Sequence, residues 1–379
     1  MSNFERRSVV FFTLVLTHYR VAFHRALRAH LAARGVCYDL VYSPATGPEA
    51  QKADVVDLEW ARCQPAWSMP FVPALRYQSL WHWRKAGLVI VGQENRNLTA
   101  YAAILGARLF GYRVAYFGHG RNFQAKNPNS LAERWKRFWA TKVDWWFTYT
   151  NGCADLIAGY GFPRAKITVF NNAIDLSQIA EERAALDPAK IIALRARLCH
   201  GSENVAVFVG GLYAQKRLSF LIHALDLLRW DIPDLQVLFI GAGPEAHIIQ
   251  EAAETRDWLH ALGPKFGAEK TLYVSLGKVW LMPGLVGLGV LDSFAYETPM
   301  VTTQLPYHSP EIDYLQDGVN GVIVRDSDNP QAYADAVHRV LSDLQYRDTL
   351  IQGARIARHK YSIEDMSRRF AEGVLRAMK

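Results

Sequence analysis

A chain of 379 residues, half of them hydrophobic and 21% charged, is too long for one ordinary core; it suits two domains of roughly 150 to 200 residues and leaves little room for disorder. The formal net charge of +7 is unevenly spread: residues 1–180 hold 22 Lys and Arg against 11 Asp and Glu, a balance of +11, whereas residues 181–379 hold 21 against 25, a balance of −4. The basic half reads either as a solvated face or as one drawn to anionic surfaces such as membrane headgroups, and the four cysteines (Cys37, Cys63, Cys153, Cys199) lack the paired spacing of a zinc site.

The first apolar run, Val9 to Leu16, follows two arginines like a secretory leader, but Thr17-His18-Tyr19-Arg20 carries no small-residue cleavage site. Its β-branched and aromatic content predicts a buried parallel strand instead. A helix over Val21–Arg34 follows, then strands at Tyr38–Tyr42 and Leu88–Val91, a helix at Leu98–Phe110, and strands at Arg113–Phe117, Trp145–Thr150 and Ile167–Phe170. Between them Leu131–Phe147 mixes Trp135, Phe138 and Trp139 with Lys136, Arg137 and Lys142, a pattern that fits either a membrane interface or a helix buried on its aromatic side. Asn171-Asn172 reads as a turn and Leu186–Leu198 as a charged connecting helix. A second alternating series runs through Val205–Val209, a helix at Leu218–Leu228, a strand at Leu235–Ile240, a helix near Ala246–Arg256, strands at Val279–Met282 and Met300–Thr303, and helices at Pro330–Ser342 and Arg347–Lys360. Such alternation predicts βαβ units on parallel sheets. The last segment, 362–379, spaces Met366, Phe370, Val374 and Leu375 helically and has no sheet partner left in its own domain. No apolar run is long enough to cross a bilayer, so a cytoplasmic protein is expected.

Three stretches carry chemistry. In VFVGGLYAQKRLSF a strand ends at Gly210-Gly211, and Lys216 and Arg217 stand before a helix, where a lysine either is an ordinary solvated residue or, beside free helix-start amides, holds a diphosphate and stabilises its developing charge. In LFIGAGPE the strand runs into Gly241 and Gly243, which give a backbone access to a flat ligand or simply a tight turn. In LMPGLVGLGVLDSFAYETPM a turn at Pro283-Gly284 leads through Gly287, Leu288 and Gly289 into a helix bearing Asp292. Unpaired amides at such a start are placed for a phosphate. No Gly-x-Gly-x-x-Gly follows the first strand, which counts against a dinucleotide oxidoreductase.

Taken in order, VGGLYAQKR, FIGAGPE, MPGLVGLGVLDSFAYETPM and PEIDYLQDGVNGVIV resemble the nucleotide-sugar-binding half of the retaining GT-B glycosyltransferases of family 4, over about residues 165–345. THYRVAFHRAL, YFGHGRN and VFNNAIDL resemble that family's acceptor side and hinge more loosely. The resemblance implies an α/β chain of GT-B fold with two Rossmann-like domains, 1–180 for the acceptor and 181–361 for the nucleotide sugar. These face a cleft, and the 362–379 helix crosses back to the first domain.

The resemblance also implies roles. Lys216 matches the diphosphate lysine and His119 the histidine near donor sugar and acceptor, and these two are the catalytic candidates. Asp292 matches the carboxylate that accepts from both ribose hydroxyls, and Leu288-Gly289 the amides facing the phosphates; Gly210, Gly211, Arg217, Gly241, Gly243, Pro283, Gly284 and Gly287 complete the donor set. Tyr19, Arg20, His24, Arg121 and Asn122 are acceptor-side candidates. Three departures stand out: Gly284 occupies the place of the first Glu of the family's Glu-x7-Glu pair, Gly211 that of an Arg, and Thr17–Arg20 that of a Gly-rich loop. The implied reaction passes a sugar from a nucleoside diphosphate to a hydroxyl of a glycan, lipid-linked glycan or glycolipid with retention of configuration, needs no metal or tightly bound cofactor, and involves no nucleic acid. An enzyme of cell-surface polysaccharide or glycoconjugate synthesis, peripheral on the inner face of the membrane, fits these features. A non-catalytic sugar-nucleotide-binding protein that has lost the Glu and Arg is the alternative.

Overall fold

The computed structural model describes residues 7–44, 58–69, 72–121 and 130–379, so the candidate Asn122 lies outside the described residues. The chain divides into two compact units, the first running to Asp175 and regaining Ser362–Lys379, the second spanning Leu176–Tyr361.

The first unit contains β1 (Ser8–Phe12), α1 (His18–Ala32), β2 (Cys37–Tyr42), β3 (Arg62–Cys63), β4 (Trp67–Met69), β5 (Val72–Tyr77), β6 (Leu88–Gly92), α2 (Leu98–Phe110), β7 (Arg113–Gly118), α3 (Leu131–Ala140), β8 (Trp145–Thr148), α4 (Asn151–Gly159) and β9 (Ile167–Val169). Among the described residues, seven strands form one sheet in the order β3-β2-β1-β6-β7-β8-β9, and β4 and β5 make a separate hairpin. Every pairing in the large sheet is parallel, which explains why its strands read as unbroken apolar runs: both faces are covered. Alternate residues feed two cores. Val9, Phe11, Leu88, Ile90 and Phe147 enter one, and Val10, Phe12, Val89, Val91 and Trp146 the other. The first strand stops at Phe12, earlier than the apolar run suggested, because the chain turns toward α1 and Thr13 bonds its hydroxyl to the Val15 carbonyl.

The second unit contains α5 (Ser177–Ala184), α6 (Pro188–Leu198), β10 (Val205–Val209), α7 (Leu218–Asp231), β11 (Gln236–Ile240), α8 (Ala246–Glu254), β12 (Leu259–Gly263), α9 (Gly267–Val274), β13 (Val279–Met282), α10 (Gly289–Tyr296), β14 (Met300–Thr303), β15 (Gly321–Val324), α11 (Pro330–Ser342) and α12 (Leu344–Lys360). Its six strands are ordered β12-β11-β10-β13-β14-β15, again all parallel. The strand β12, the helix α9 and the edge strand β15 were not anticipated from sequence. In β12 (LHALG) only Leu259 is buried, so it has no apolar run to betray it.

The final helix, α13 (Ile363–Ala377), belongs to the first unit. Ser362 caps it by accepting from the Asp365 amide, and its apolar stripe packs beside α1. Phe370 stacks on Phe147 with ring centroids 4.0 Å apart and meets Phe23 edge-on. Gly373 allows this approach, since a Cβ there would lie 2.4 Å from the Thr168 hydroxyl oxygen. The architecture is thus the doubly wound α/β pair expected, with the last helix returning to the first unit.

Candidate functional sites at the strand ends

In an open parallel sheet, ligands bind beyond the carboxyl ends of the strands where the strand order reverses. In the second unit that point lies between β10 and β13, whose outgoing loops are 210–217 and 283–288. These are the two stretches the sequence singles out. They are joined directly: the Leu285 amide donates to the Gln215 carbonyl at 2.9 Å, and the Lys216 ammonium donates to the Leu285 carbonyl.

Lys216 ends a 3₁₀ turn, Ala214–Lys216, and is 5% exposed. Its Nζ also lies 3.3 Å from the Met282 sulfur, and among the described residues no carboxylate pairs with it. Burial therefore pulls its pKa from 10.5 down to about 8. A cation held this way is under-compensated, and an incoming anion would relieve it. Arg217, in left-handed conformation (φ 59°), is already occupied: its guanidinium donates to the Ser327 carbonyl and the Asp328 carboxylate, each at 2.7 Å, and to the Thr303 hydroxyl at 3.2 Å. It ties three strand-end loops together.

The Pro283–Gly289 turn meets the helix α10 at Gly289. Gly287 has φ +57° with open space where a side chain would stand, so the backbone is accessible there. The first intrahelical bond of this start is from the Leu291 amide to the Leu288 carbonyl, and the preceding amides are the ones a helix start leaves for an anion. Asp292, one turn in, is partly exposed; desolvation raises its pKa, opposed by Lys270, whose Nζ is 3.9 Å from its Oδ2. Its carboxylate oxygens are acceptors at the same end of the sheet as Lys216.

Gly284 is closed to any side chain. A Cβ there would sit 2.1 Å from the Gln215 carbonyl oxygen and 2.6 Å from backbone atoms of Lys216. The glycine is thus a condition of the loop contact that places Lys216. Gly241 and Gly243 are used in the same way: Cβ atoms would fall 1.9 Å from the Gly210 oxygen and 2.1 Å from the Leu212 oxygen. What their backbone approaches is the 210–212 loop, with the Leu212 amide donating to the Ala242 carbonyl at 2.9 Å. At Gly211 a Cβ would press on the Tyr213 ring and touch the Ala242 carbonyl at ordinary distance, and at Gly210 it would have ordinary contact with Met282.

Sequence reading missed His308, which follows β14. Its Nε2 donates to the Thr303 carbonyl at 2.7 Å, and burial lowers its pKa. With Gln304, Asp317, Ile323 and Arg325 it lines a groove of about 510 Å³ beside the ends of β14 and β15. No spacing pattern marks it.

In the first unit a second polar cluster forms where β1, β7, β8 and β9 end. Arg20 donates to the Asn172 side-chain oxygen at 2.8 Å and to the Tyr149 hydroxyl at 3.1 Å. The His119 ring stacks on Tyr149 with centroids 3.9 Å apart, and the Asn172 amide donates to the Tyr149 carbonyl. Gly120 after it has φ +83° and lies against Ile157, fixing the turn that carries His119 and leads to the partly buried Arg121. Tyr19 is 39% exposed beside Arg20. Tyr149 and Asn172 were not singled out from sequence, because one reads as strand and the other as a turn. His24 does not join this cluster. It is 3% exposed in the core, its Nδ1 pairs with the Tyr38 hydroxyl at 2.7 Å, and Phe11 and Phe23 pack on its ring. Desolvation, and then Arg20, lower its pKa to about 3. The acceptor-contact expectation for His24 is corrected: it is a neutral core histidine.

Among the described residues no group of three or more His, Cys, Asp or Glu is arranged for a metal ion, and no helix is long and apolar enough to cross a membrane.

Comparison with known proteins agrees with this layout. Residues 23–178 match the family model for Glycosyltransferase Family 4, and residues 203–343 that for Glycosyl transferases group 1. Similar curated proteins include D-inositol 3-phosphate glycosyltransferases of Corynebacterium urealyticum, 27% identical over 234 residues (58% of this chain, 53% of that protein), and of Salinispora arenicola, 28% identical over 217 residues (53% and 47%). The chain thus spans about half the length of these relatives. Among solved structures, Anabaena HepE in complex with UDP superposes with a TM-score of 0.71 at 13% identity, covering 97% of this chain and 100% of that one. A glycosyltransferase from Rickettsia africae gives 0.70 at 14%, covering 98% of each. At such identities the structural likeness speaks for the fold alone. The chain carries, in order, a Glycosyltransferase Family 4 domain and a Glycosyl transferases group 1 domain on the GT-B fold.

Proposed function

We propose that this chain is a retaining, metal-independent glycosyltransferase that moves a sugar from a nucleoside diphosphate to a hydroxyl acceptor. The observation that carries the reading is the buried Lys216 bonded into the Pro283–Gly289 turn at the reversal point of the second sheet. In this reading the bond from the anomeric carbon to the diphosphate breaks, and Lys216 with the 287–290 amides stabilises the charge left on the phosphate oxygens. The acceptor oxygen bonds to the same face of the sugar, and its proton leaves with the diphosphate. Asp292 holds the ribose hydroxyls, and His119, braced on Tyr149, orients sugar and acceptor. Arg217 serves as a loop tie more than as a phosphate ligand, given its bonds to Ser327 and Asp328. UDP in the HepE complex makes a uridine nucleotide the first donor to try.

The acceptor is a glycan or lipid-linked glycan met at an anionic membrane. This part rests on α3, which exposes Leu131, Trp135 and Phe138 one turn apart, with Lys142 over the Phe138 ring at 4.8 Å, and on Leu105 and Leu109 of α2 nearby, where Tyr101 accepts from the Trp135 indole. A thermal-shift screen with UDP, GDP, ADP and dTDP sugars tests the donor half. A ligand at 100 times its Kd adds about 2.7 kcal/mol to folded-state stability. No shift with any donor counts against the reading.

A further inference from the structure

We infer that Phe266 is the stacking surface for the donor's nucleobase, an inference that rests on the donor site proposed above. Phe266 stands immediately before α9, in the short loop that follows β12, and is 79% exposed. It is an uncovered aromatic at the ligand-binding edge of a sheet whose other aromatics, such as Phe208 and Phe239, are buried. Two connections bind it to the rest of the site. Its carbonyl accepts from the Lys270 amide at 3.2 Å, so Lys270 lies one helical turn, about 5.4 Å, further along, and the Lys270 ammonium is 3.9 Å from Asp292. On the other side, the Gly241 amide donates to the Gly263 carbonyl at 3.0 Å, which fixes the 264–266 loop against the 241–243 turn and through it against 210–212.

The features therefore lie in the sequence a nucleoside diphosphate presents. Lys216 and the 287–289 turn stand at β10 and β13, Asp292 stands next, and Phe266 stands at the edge strand β12. The end-to-end separation of β13 from β12 is three strand spacings, roughly 14 Å. With phosphates at the sheet centre and ribose hydroxyls on Asp292, the base is directed outward to the edge where Phe266 offers its face. Every base has a π-face, so this contact adds affinity without choosing among bases.

The test is isothermal titration of the full chain with UDP, GDP, ADP and inorganic pyrophosphate, comparing the parent with Phe266→Ala and Phe266→Tyr. Because the ring is exposed, neither substitution should alter folding. Phe266→Ala should weaken the best-bound nucleoside diphosphate about tenfold, within a range of roughly 5- to 150-fold, while Phe266→Tyr stays within about threefold and pyrophosphate is unaffected. Nucleotide affinity within twofold of the parent in Phe266→Ala overturns the inference, as does an equal loss for pyrophosphate, which would mean a distorted loop. If Lys216→Ala weakens the nucleotide and Phe266→Ala does not, the stacking alone fails; a parent that binds none of the three nucleotides overturns both readings.

Discussion

Replacing Gly284 by Glu would restore the carboxylate at the place where the family resemblance puts one, and we predict that it destroys the site. A Cβ at 284 would lie 2.1 Å from the Gln215 carbonyl oxygen, whereas real Cβ atoms essentially never come closer than 3.0 Å. The obstruction is backbone, so no rotamer change relieves it, and one loop must move by roughly 1 Å. That movement strains the Leu285 to Gln215 bond and carries Lys216 away from the Leu285 carbonyl. Gly284→Ala isolates the first carbon of this change, and overpacking of this kind costs about 1 to 3 kcal/mol. For a unit of this size that is a fall in Tm of roughly 2 to 12 °C. Calorimetry of the parent, Gly284→Ala and Gly284→Glu, with and without donor, reads it out: the parent melts highest, and neither variant is more active. An unchanged melting temperature in Gly284→Ala, or a gain in turnover in Gly284→Glu, would refute the claim that this glycine is fixed by the Lys216 turn.

Four further outcomes follow from the structure. The Lys216 ammonium is lost as pH rises through about 8, so kcat/KM should fall above that pH, and the fall should vanish in Lys216→Ala. Stability should move the opposite way: between pH 8 and 10.5 the unfolded chain holds the proton that the folded chain has released, so this group's contribution rises with pH, as urea titrations of the parent against Lys216→Met would register. For His24, depressed to about 3, the unfolded chain binds more protons between pH 3 and 6.5. The parent should therefore lose stability relative to His24→Leu as pH falls through that window, and a constant difference would place the His24 proton elsewhere. Finally, Trp135→Ser with Phe138→Ser should lower co-sedimentation with anionic vesicles about tenfold or more while leaving the donor affinity unchanged; equal binding would remove the membrane from the account.

The strands and the order of the motifs were legible because buried parallel strands are continuous apolar runs and because loops at their ends concentrate Gly, Lys and Asp. The edges were not. In β12 only Leu259 is buried and it pairs on one side only, so neither it nor α9 was recognised, and the exposed Phe266 between them went unnoticed. Glycine roles were half legible. That Gly241 and Gly243 permit close approach could be read from the sequence, whereas Gly284 read as a turn and a missing Glu; for all three the approaching partner is the chain's own backbone at 210–216, a contact no local pattern encodes. Likewise His24 fell on the right helix for an acceptor contact, and only the packing of Phe11, Phe23 and Tyr38 around it reveals that it faces the core. Arg20, Tyr149, Asn172 and His119 come from four strand ends and meet only in the folded sheet.

The central claim is that Lys216 and the 283–289 turn hold a departing nucleoside diphosphate. It is tested most directly by incubating the parent and Lys216→Ala with UDP-sugars and a hydroxyl acceptor, following diphosphate release and the anomeric configuration of the product by NMR. Release with retained configuration is expected in the parent, with a loss of about 10²-fold or more in Lys216→Ala. Donor binding without release for any sugar, or equal rates in the two proteins, would contradict it.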